Sequence, residues 1–248
     1  MVKQESLLTV MVQAETPERI EQLIDNSLPL GAQAFGMQFC RLKPEFRTAE
    51  TYRRLFSYAK KPVYVTNYRL GYNEGKSDEQ LAEELLELAD CGADICDVLG
   101  DLFDPQPDEL AVNDVAIQKQ MQLIDALHKR GATVLLSSHV LKFTPYERVL
   151  EIAQEQKRRG ADICKIVTGA DTMEQQLENM DIIRRLHKEF SHPFLFLCIG
   201  ECDRLRKAGG MLGNCMDLCV YEHDALSAPA QPLLCDVIEY RRCASCEK

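Results

Sequence analysis

No apolar run in this 248-residue sequence approaches the roughly 20 residues that a membrane-spanning helix needs. The start, Met1-Val2-Lys3-Gln4-Glu5, has no basic region followed by an apolar signal core. Basic residues are also in deficit, since 29 lysines and arginines stand against 39 acidic residues, for a net charge of −10. We therefore expect a cytoplasmic protein with neither a membrane nor a nucleic-acid partner.

The sequence also lacks the loops that hold nucleotide phosphates. No Gly-x-Gly-x-x-Gly follows a predicted strand, and no Gly-x4-Gly-Lys-Ser/Thr occurs. Low-complexity linkers and shifts in composition are missing as well. These absences disfavour a nucleotide-binding doubly wound sheet and indicate a single domain over residues 1–248.

Cysteine is abundant, with eleven residues, but its spacing is not that of a metal or disulfide protein. Several thiols lie in or beside apolar strand-like segments, where reduced cysteine behaves as a small hydrophobe; they are Cys40, Cys96, Cys164, Cys198 and Cys219. Cys243 and Cys246 have the spacing of half a zinc site, but no second pair shares that spacing. We expect no metal and no cofactor, and the role of the Cys243/Cys246 pair stays open.

What the sequence does contain is an alternation of short apolar strands and amphipathic helices, repeated eight times. Helix starts are marked by Thr16-Pro17 and by a capping box between Ser77 and Gln80. A Gly-Ala-Asp turn precedes both the fourth and the sixth strand. The strands are expected at Leu7–Val12, Ala34–Phe39, Val63–Thr66, Ile95–Leu99, Thr133–Ser138, Ile163–Val167, Phe194–Ile199 and Cys215–Tyr221. The pattern predicts an α/β fold, a single (β/α)8 TIM barrel, with glycine-rich residues 200–213 after the seventh strand.

Two ionisable residues lie one βα unit apart at the ends of buried strands. His139 follows the fifth strand, and Lys165 lies within the sixth. An ionisable group in a buried strand costs free energy unless it is paired or used. In a barrel both side chains reach the carboxyl-terminal mouth, where barrel enzymes carry their active sites.

Further polar residues are expected at the same mouth. A lysine amine kept neutral by a dry pocket or a nearby cation can form a Schiff base with a ketone, and a nearby histidine can move the protons. An arginine offers a planar fork for a substrate carboxylate. The additional candidates are Gln38, Arg69, Glu74, Arg206, Ser227 and Gln231. Together they indicate an imine-forming lyase acting on a small keto acid.

The motifs between Val134 and Gln231 resemble those of the type I 3-dehydroquinate dehydratases, in order and in spacing. The matching segments are Leu-Ser-Ser-His139 with Thr144-Pro145, Gly-Ala-Asp-Ile-Cys-Lys165-Ile, Arg206-Lys-Ala-Gly209 with Gly213, and Ser227-Ala-Pro-Ala-Gln231. The resemblance implies a cofactor-free hydro-lyase of the shikimate pathway that converts 3-dehydroquinate to 3-dehydroshikimate. We also expect a homodimer.

The same resemblance implies a role for each candidate. Lys165 would form the imine, His139 would be the general acid and base, and Glu74 would orient the histidine. Arg206 would hold the substrate carboxylate, although Arg204 competes for that role. The remaining candidates, Gln38, Arg69, Ser227 and Gln231, would bind the substrate.

The N-terminal half departs from the family pattern. Where the family has a Glu-x-Arg-x-Asp strand end, this chain reads Gln38-Phe39-Cys40-Arg41-Leu42, and Val140-Leu141 replaces Asp-Phe after the histidine. Two alternatives therefore stay open. One is a Schiff-base lyase or aldolase-like enzyme for a different hydroxylated keto acid. The other is a barrel that binds a carboxylate ligand without catalysis.

Overall fold

The computed structural model describes residues 6–201 and 203–245 of the chain. In this part of the chain eight parallel strands form one sheet in the order β7-β6-β5-β4-β3-β2-β1-β8. The strands are β1 Leu7–Val12, β2 Ala34–Gln38, β3 Val63–Thr66, β4 Ile95–Leu99, β5 Thr133–His139, β6 Ile163–Ala170, β7 Phe194–Gly200 and β8 Met216–Cys219. Because β1 pairs with both β2 and β8, the sheet curls into a nearly closed barrel. The predicted TIM barrel is confirmed.

The helices cover the outside of the barrel. They are α1 Pro17–Ser27, α2 Ala49–Ala59, α3 Asp78–Asp90, α4 Asp114–His128, α5 Tyr146–Arg158, α6 Met173–Glu189, α7 Asp203–Leu212 and α8 Leu234–Ser245. Short 3-10 turns occupy Leu28–Leu30, Phe39–Arg41, Pro44–Phe46 and Gly71–Asn73. The predicted N-cap Thr16 and the Ser77/Gln80 capping box are both present.

Successive side chains of each strand point alternately toward the helices and into the barrel lumen, which gives two separate apolar layers. On β1, Val10 and Val12 pack outward against the helices, whereas Met11 points into the lumen. Tyr64 and Leu135 belong to the same lumen cluster. The lumen is therefore a packed core at its base, and only residues near the carboxyl ends of the strands can meet a ligand.

The repeated Gly-Ala-Asp turn has a structural explanation. Gly92 and Gly160 adopt left-handed φ values of 105° and 101°, where a side chain is disfavoured. Asp94 then accepts a hydrogen bond from the backbone N–H of Val63, and Asp162 accepts one from Val134. Each turn thus fastens the start of one strand to the start of its neighbour.

The glycine-rich segment after β7, in which no helix was predicted, carries helix α7. Its Gly209-Gly210 pair costs helix propensity but allows a close approach to the bottom of the barrel. A Cβ on Gly210 would lie 1.9 Å from Ser6 Oγ and 2.3 Å from Asp217 Oδ2. Tertiary packing therefore outweighs the low helix propensity of the two glycines.

The buried thiols lead to a labelling prediction. Burial raises the pKa of Cys96 and Cys164 to about 12, so neither forms the reactive thiolate near neutral pH. Cys235 and Cys243 are exposed. We expect iodoacetamide to modify these two rapidly in the native protein and the buried pair only after unfolding, as peptide mass spectrometry would record. Rapid native modification of Cys164 would contradict the packing of β6 against α5.

Cys246, the other half of the predicted cysteine pair, lies outside the described residues. Within the described ranges no group of three or more histidine, cysteine, aspartate or glutamate side chains is arranged to hold a metal ion. No helix there is long and apolar enough to cross a bilayer.

Candidate active site

Lys165 lies in the barrel lumen, where its amine is held by three oxygen atoms. Its Nζ atom is 2.7 Å from the Tyr68 hydroxyl, 3.0 Å from Asp97 Oδ2 and 3.1 Å from the Tyr64 hydroxyl. The residue is 4% exposed, and the Asp97 side chain is fully buried. The three N–H bonds of an ammonium group are thereby matched by three acceptors.

Asp97 is the acceptor at the centre of this network. Its Oδ2 atom also accepts hydrogen bonds from Tyr64 and, at 2.5 Å, from Tyr68, while Oδ1 accepts one from Ser137 at 2.6 Å. From the sequence we expected a neutral amine in a dry pocket or beside a cation. The structure instead shows a salt bridge to a carboxylate, so imine formation requires a group that takes a proton from Lys165.

Both tyrosines are kept in their neutral form. Burial, and next the nearby Asp97 carboxylate, raise the pKa of the Tyr64 and Tyr68 hydroxyls well above the ordinary value. Each hydroxyl can therefore donate to Asp97 and accept from Lys165 at the same time.

His139 ends β5 and is held by a glutamate from the β4–α4 loop. Its Nδ1 atom lies 2.7 Å from Glu109 Oε2, and its backbone N–H donates to the same oxygen at 2.9 Å. Because a carboxylate only accepts, Nδ1 carries a hydrogen, and in the neutral ring the lone pair therefore lies on Nε2. This is the tautomer that a general base facing a substrate requires.

The glutamate in contact with His139 is thus Glu109 and not Glu74, the residue chosen from the sequence. Glu74 follows the 3-10 turn Gly71–Asn73 and is exposed. The longer loop before it places it at the surface, whereas the acidic β4–α4 loop folds back over the end of β5. We correct the assignment accordingly.

The third strand contributes a tyrosine to the lumen where an arginine was expected. Arg69 donates to both oxygens of Asp78 and to Asp101 Oδ1, and so joins the loops after β3 and β4. Its guanidinium is occupied by two carboxylates, which disfavours the predicted role in substrate binding. The preceding residue, Tyr68, instead lies between the two catalytic candidates, with its ring edge-on to His139 at 5.3 Å between centroids.

The β4–α4 loop that carries Glu109 is clamped against the barrel. Ser138 Oγ donates to the Glu109 carbonyl at 2.7 Å, and buried Arg159 donates to the carbonyls of Gly100 and Ala111. Glu109 itself has a left-handed φ of 43°, a conformation that a side chain rarely adopts. The clamp holds this strained residue under His139.

Gly100 permits the close packing of this loop. A Cβ at this position would lie 2.4 Å from the Glu109 carbonyl oxygen and 2.9 Å from that of Ser137. We expect Gly100→Ala to lower the free energy of unfolding by about 1–3 kcal/mol, since the backbone must move. It should also lower activity, because Glu109 is displaced from His139. Denaturant unfolding and an activity assay check both effects, and a variant with wild-type values in both would contradict them.

Gln38 ends β2 beside a second glutamine, Gln13, which was not among the predicted site residues. Gln13 Nε2 donates to Gln38 Oε1 at 2.6 Å, and the buried Gln13 Oε1 has no hydrogen-bond partner among the described residues. Both side chains alternate inward, since Val12 and Met37 face the helices. The wall formed by β1 and β2 at the mouth is therefore polar and uncharged at these two positions.

The C-terminal candidates come from α7 and from the β8–α8 loop. Arg206 is 7% exposed, and its Nε donates to the Cys198 carbonyl on β7, whereas Arg204 is exposed. Gln231 is buried, its Oε1 has no partner in the described part of the chain, and it lines a cavity of about 260 Å3 beside Lys207 and His223. Its unsatisfied oxygen is available to a ligand.

Ser227 is turned toward its own loop. Its hydroxyl accepts from the Asp224 N–H at 2.9 Å and donates to the Asp224 carbonyl at 3.0 Å. In this structure the serine thus stabilises the turn before Gln231, and contact with a substrate would require the turn to rearrange.

Some of these contacts could have been found from the sequence. Asp97 is a charged residue inside the apolar run Ile95–Leu99, the same signal that identified Lys165. Tyr68 directly precedes the selected Arg69. Glu109 carries no comparable signal, because it is one of several acidic residues in a loop.

Comparisons with known proteins identify the family and the fold. The family model described as type I 3-dehydroquinase matches residues 9–243. A 3-dehydroquinate dehydratase of Alkaliphilus oremlandii (strain OhILAs) is 30% identical over 118 residues. That matched stretch spans 46% of this chain and 46% of the relative, so it covers less than half of either protein.

Solved structures share the fold over nearly the whole chain. The type I 3-dehydroquinate dehydratase from Clostridium difficile, with covalently modified comenic acid, superposes with a TM-score of 0.80 at 15% identity, covering 98% of this chain and 94% of its own. The 3-dehydroquinate dehydratase from Geobacillus kaustophilus HTA426 gives 0.81 at 15% identity, covering 98% and 92%. At these identities the likeness establishes the barrel fold.

Proposed function

Because this chain belongs to the type I 3-dehydroquinase family, whose model it matches over residues 9–243, we propose that it is a hydro-lyase that dehydrates 3-dehydroquinate to 3-dehydroshikimate. The observation that supports this most is the position of the Lys165 amine, 2.7 Å from a tyrosine whose ring packs on His139. A ketone bound at the mouth would thus meet a nucleophile and a base together. The reaction belongs to the shikimate pathway.

In this proposal the reaction has two stages. Lys165 first condenses with the ketone, losing water and forming an iminium ion that makes the adjacent C–H acidic. His139 Nε2 then removes that proton and returns it to the departing hydroxyl, so that a second water leaves. One water finally hydrolyses the product iminium, which frees Lys165 and leaves a net loss of one water. Glu109 orients the imidazole and stabilises its charge while it holds the proton.

Substrate binding is assigned to the polar groups around the mouth. Arg206 is proposed for the carboxylate, and Gln38 and Gln231 for the hydroxyl groups. Gln231 and Gln13 each carry a buried amide oxygen without a partner in the described residues. A buried oxygen without a hydrogen-bond donor destabilises the folded protein. A substrate whose hydroxyl donates to that oxygen would therefore bind more tightly.

The decisive test combines trapping with turnover. Sodium borohydride added with 3-dehydroquinate should reduce the imine and leave a covalent mass on Lys165. Without borohydride, the ultraviolet absorbance of the conjugated product should develop. An unmodified Lys165 together with no absorbance change would reject the proposal.

A second candidate function is an imine-forming lyase for a different hydroxylated keto acid. The uncharged Gln13–Gln38 pair favours it, because Gln38 ends the strand at which the sequence departs from the family's charged pattern. It predicts borohydride trapping with other keto acids and weak turnover of 3-dehydroquinate. A barrel that only binds carboxylates would instead show ligand-dependent melting shifts that survive Lys165→Ala.

We also infer that the protein is a cytoplasmic homodimer. Two exposed apolar side chains one turn apart on α6, Met173 and Leu177, support the dimer as a contact surface. Light scattering coupled to size exclusion tests the oligomeric state, and cell fractionation tests the location. A monomer at micromolar concentration would contradict the dimer.

A further inference from the structure

We propose, building on the proposed function, that Tyr68 is a catalytic residue that transfers protons during imine formation on Lys165. His139 then acts only in the later steps, in which the C–H proton is removed and the hydroxyl group leaves. Tyr68 follows β3 at the barrel mouth, and its hydroxyl touches the reacting nitrogen directly.

Tyr68 contacts three groups: Asp97 and Lys165 through its hydroxyl, and His139 through its ring. Its hydroxyl donates to Asp97 Oδ2 at 2.5 Å and accepts from Lys165 Nζ at 2.7 Å. Its ring meets His139 at an interplanar angle of 77°. A proton leaving the ammonium can therefore pass through one hydroxyl to the carboxylate, and no large motion is needed.

Tyr64 has similar contacts but a different position. It also bonds to Asp97 and Lys165, yet it is fully buried one layer below the mouth. Tyr68 is partly exposed and follows the carboxyl end of β3, the end of the barrel from which a ketone must enter. Of the two hydroxyls, that of Tyr68 can reach the carbonyl oxygen of a bound substrate.

The proposed step balances in protons and charge. Tyr68 accepts a proton from the Lys165 ammonium and passes its own to Asp97, leaving a neutral amine and a carboxylic acid. The amine attacks the carbonyl carbon, the C–N bond forms, and Tyr68 moves a proton from nitrogen to the new alkoxide, which gives a carbinolamine. Asp97 then returns its proton through Tyr68 to the hydroxyl, the C–O bond breaks, and water leaves.

The products of this step fit the site. One positive charge on the ammonium has become one positive charge on the iminium, and Asp97 is again a carboxylate beside it. Because both tyrosines have a raised pKa, each is protonated at the start and at the end. The network is therefore ready for the reverse steps that release the product from Lys165.

The test compares Tyr68→Phe with Tyr64→Phe, since each change removes one hydroxyl from Asp97 and Lys165. Rapid-quench borohydride trapping with 3-dehydroquinate measures imine formation. Acetylacetone, which condenses with a lysine amine to an ultraviolet-absorbing enaminone, measures the same step without the natural substrate. We expect Tyr68→Phe to slow both by about 100-fold and Tyr64→Phe by less than about tenfold.

His139→Ala separates the two stages. It should form the trapped adduct at close to the wild-type rate and yet produce no dehydroshikimate. A slowdown in overall turnover alone would not distinguish a structural role of Tyr68. A slowdown of adduct formation that is found in Tyr68→Phe and absent from His139→Ala does.

The outcomes separate this proposal from the proposed function. A wild-type protein that reacts with acetylacetone but not with 3-dehydroquinate would reject the substrate, while the Tyr68→Phe comparison with acetylacetone would still decide the role of Tyr68. Equal adduct rates in the wild type and both tyrosine variants would overturn the role of Tyr68, as would a wild type inert to both probes. If Tyr68→Phe does not fold, Tyr68→Gln retains a hydrogen-bonding group without proton exchange. Tyr68→Gln should form the adduct about 100-fold more slowly than the wild type. A wild-type rate of adduct formation in this variant would overturn the proposal.

Discussion

Replacing Lys165 with alanine is expected to abolish turnover of 3-dehydroquinate, with a loss of about 10⁴-fold or more. The amine is the only proposed nucleophile, and the imine supplies the electron sink for the second stage. Steady-state assays measure the loss, and intact-protein mass spectrometry after borohydride treatment should find no adduct.

A matched pair of variants separates chemistry from folding in this prediction. Lys165→Ala leaves the buried Asp97 carboxylate without its salt bridge, so the free energy of unfolding should fall by about 3–5 kcal/mol. Lys165→Arg keeps a positive charge near Asp97 and should lose less stability, yet it cannot form the imine. Turnover by the arginine variant at more than about 1% of wild type would contradict imine catalysis.

Replacing Glu109 with glutamine is expected to lower kcat by about 100-fold and to leave KM nearly unchanged. The carboxylate contacts Nδ1 and the backbone N–H of His139, so it fixes the imidazole and offsets the charge that the ring gains when it takes a proton. Glutamine has nearly the same shape but carries no charge. A comparison of kcat and KM for the purified variant measures the effect.

Glu74→Gln is the control for this second prediction. Glu74 is exposed, and the same chemical change there should alter kcat by less than about twofold. A large loss in Glu74→Gln with normal kcat in Glu109→Gln would show that the β3–α3 loop rearranges when the substrate binds. That result would restore the assignment made from the sequence.

Elements whose signals are local were predicted well from the sequence. Strands β1, β3 and β4 have the predicted bounds, and the Thr16 and Ser77 caps form as expected. Helix α7 was missed because its glycines lower helix propensity. Gly210 makes possible a close approach to Ser6, which lies more than 200 residues away along the chain and therefore outside any local window.

The candidate site shows the same division. Lys165 and His139 were found from strand ends and family motifs, and the structure places both near Tyr68. The hydrogen-bond partner of His139 and the contacts of Arg69 could not be predicted from the sequence, because each depends on how a long loop folds over the barrel. The salt bridge between Asp97 and Lys165 joins strands β4 and β6, which are separated by β5 in the sheet.

By itself the sequence determined the barrel and the family and singled out Lys165 as the proposed nucleophile. Hydrophobic periodicity, turn residues and the order of the motifs can all be read along the chain. Only the tertiary structure decided what surrounds the amine: Asp97 as its counter-ion, Tyr68 as its neighbour at the mouth, and Glu109 behind the histidine. The physical reason is that charge pairing and proton transfer depend on distances of about 3 Å across the lumen. Those distances are set by packing between strands and loops that lie far apart in sequence.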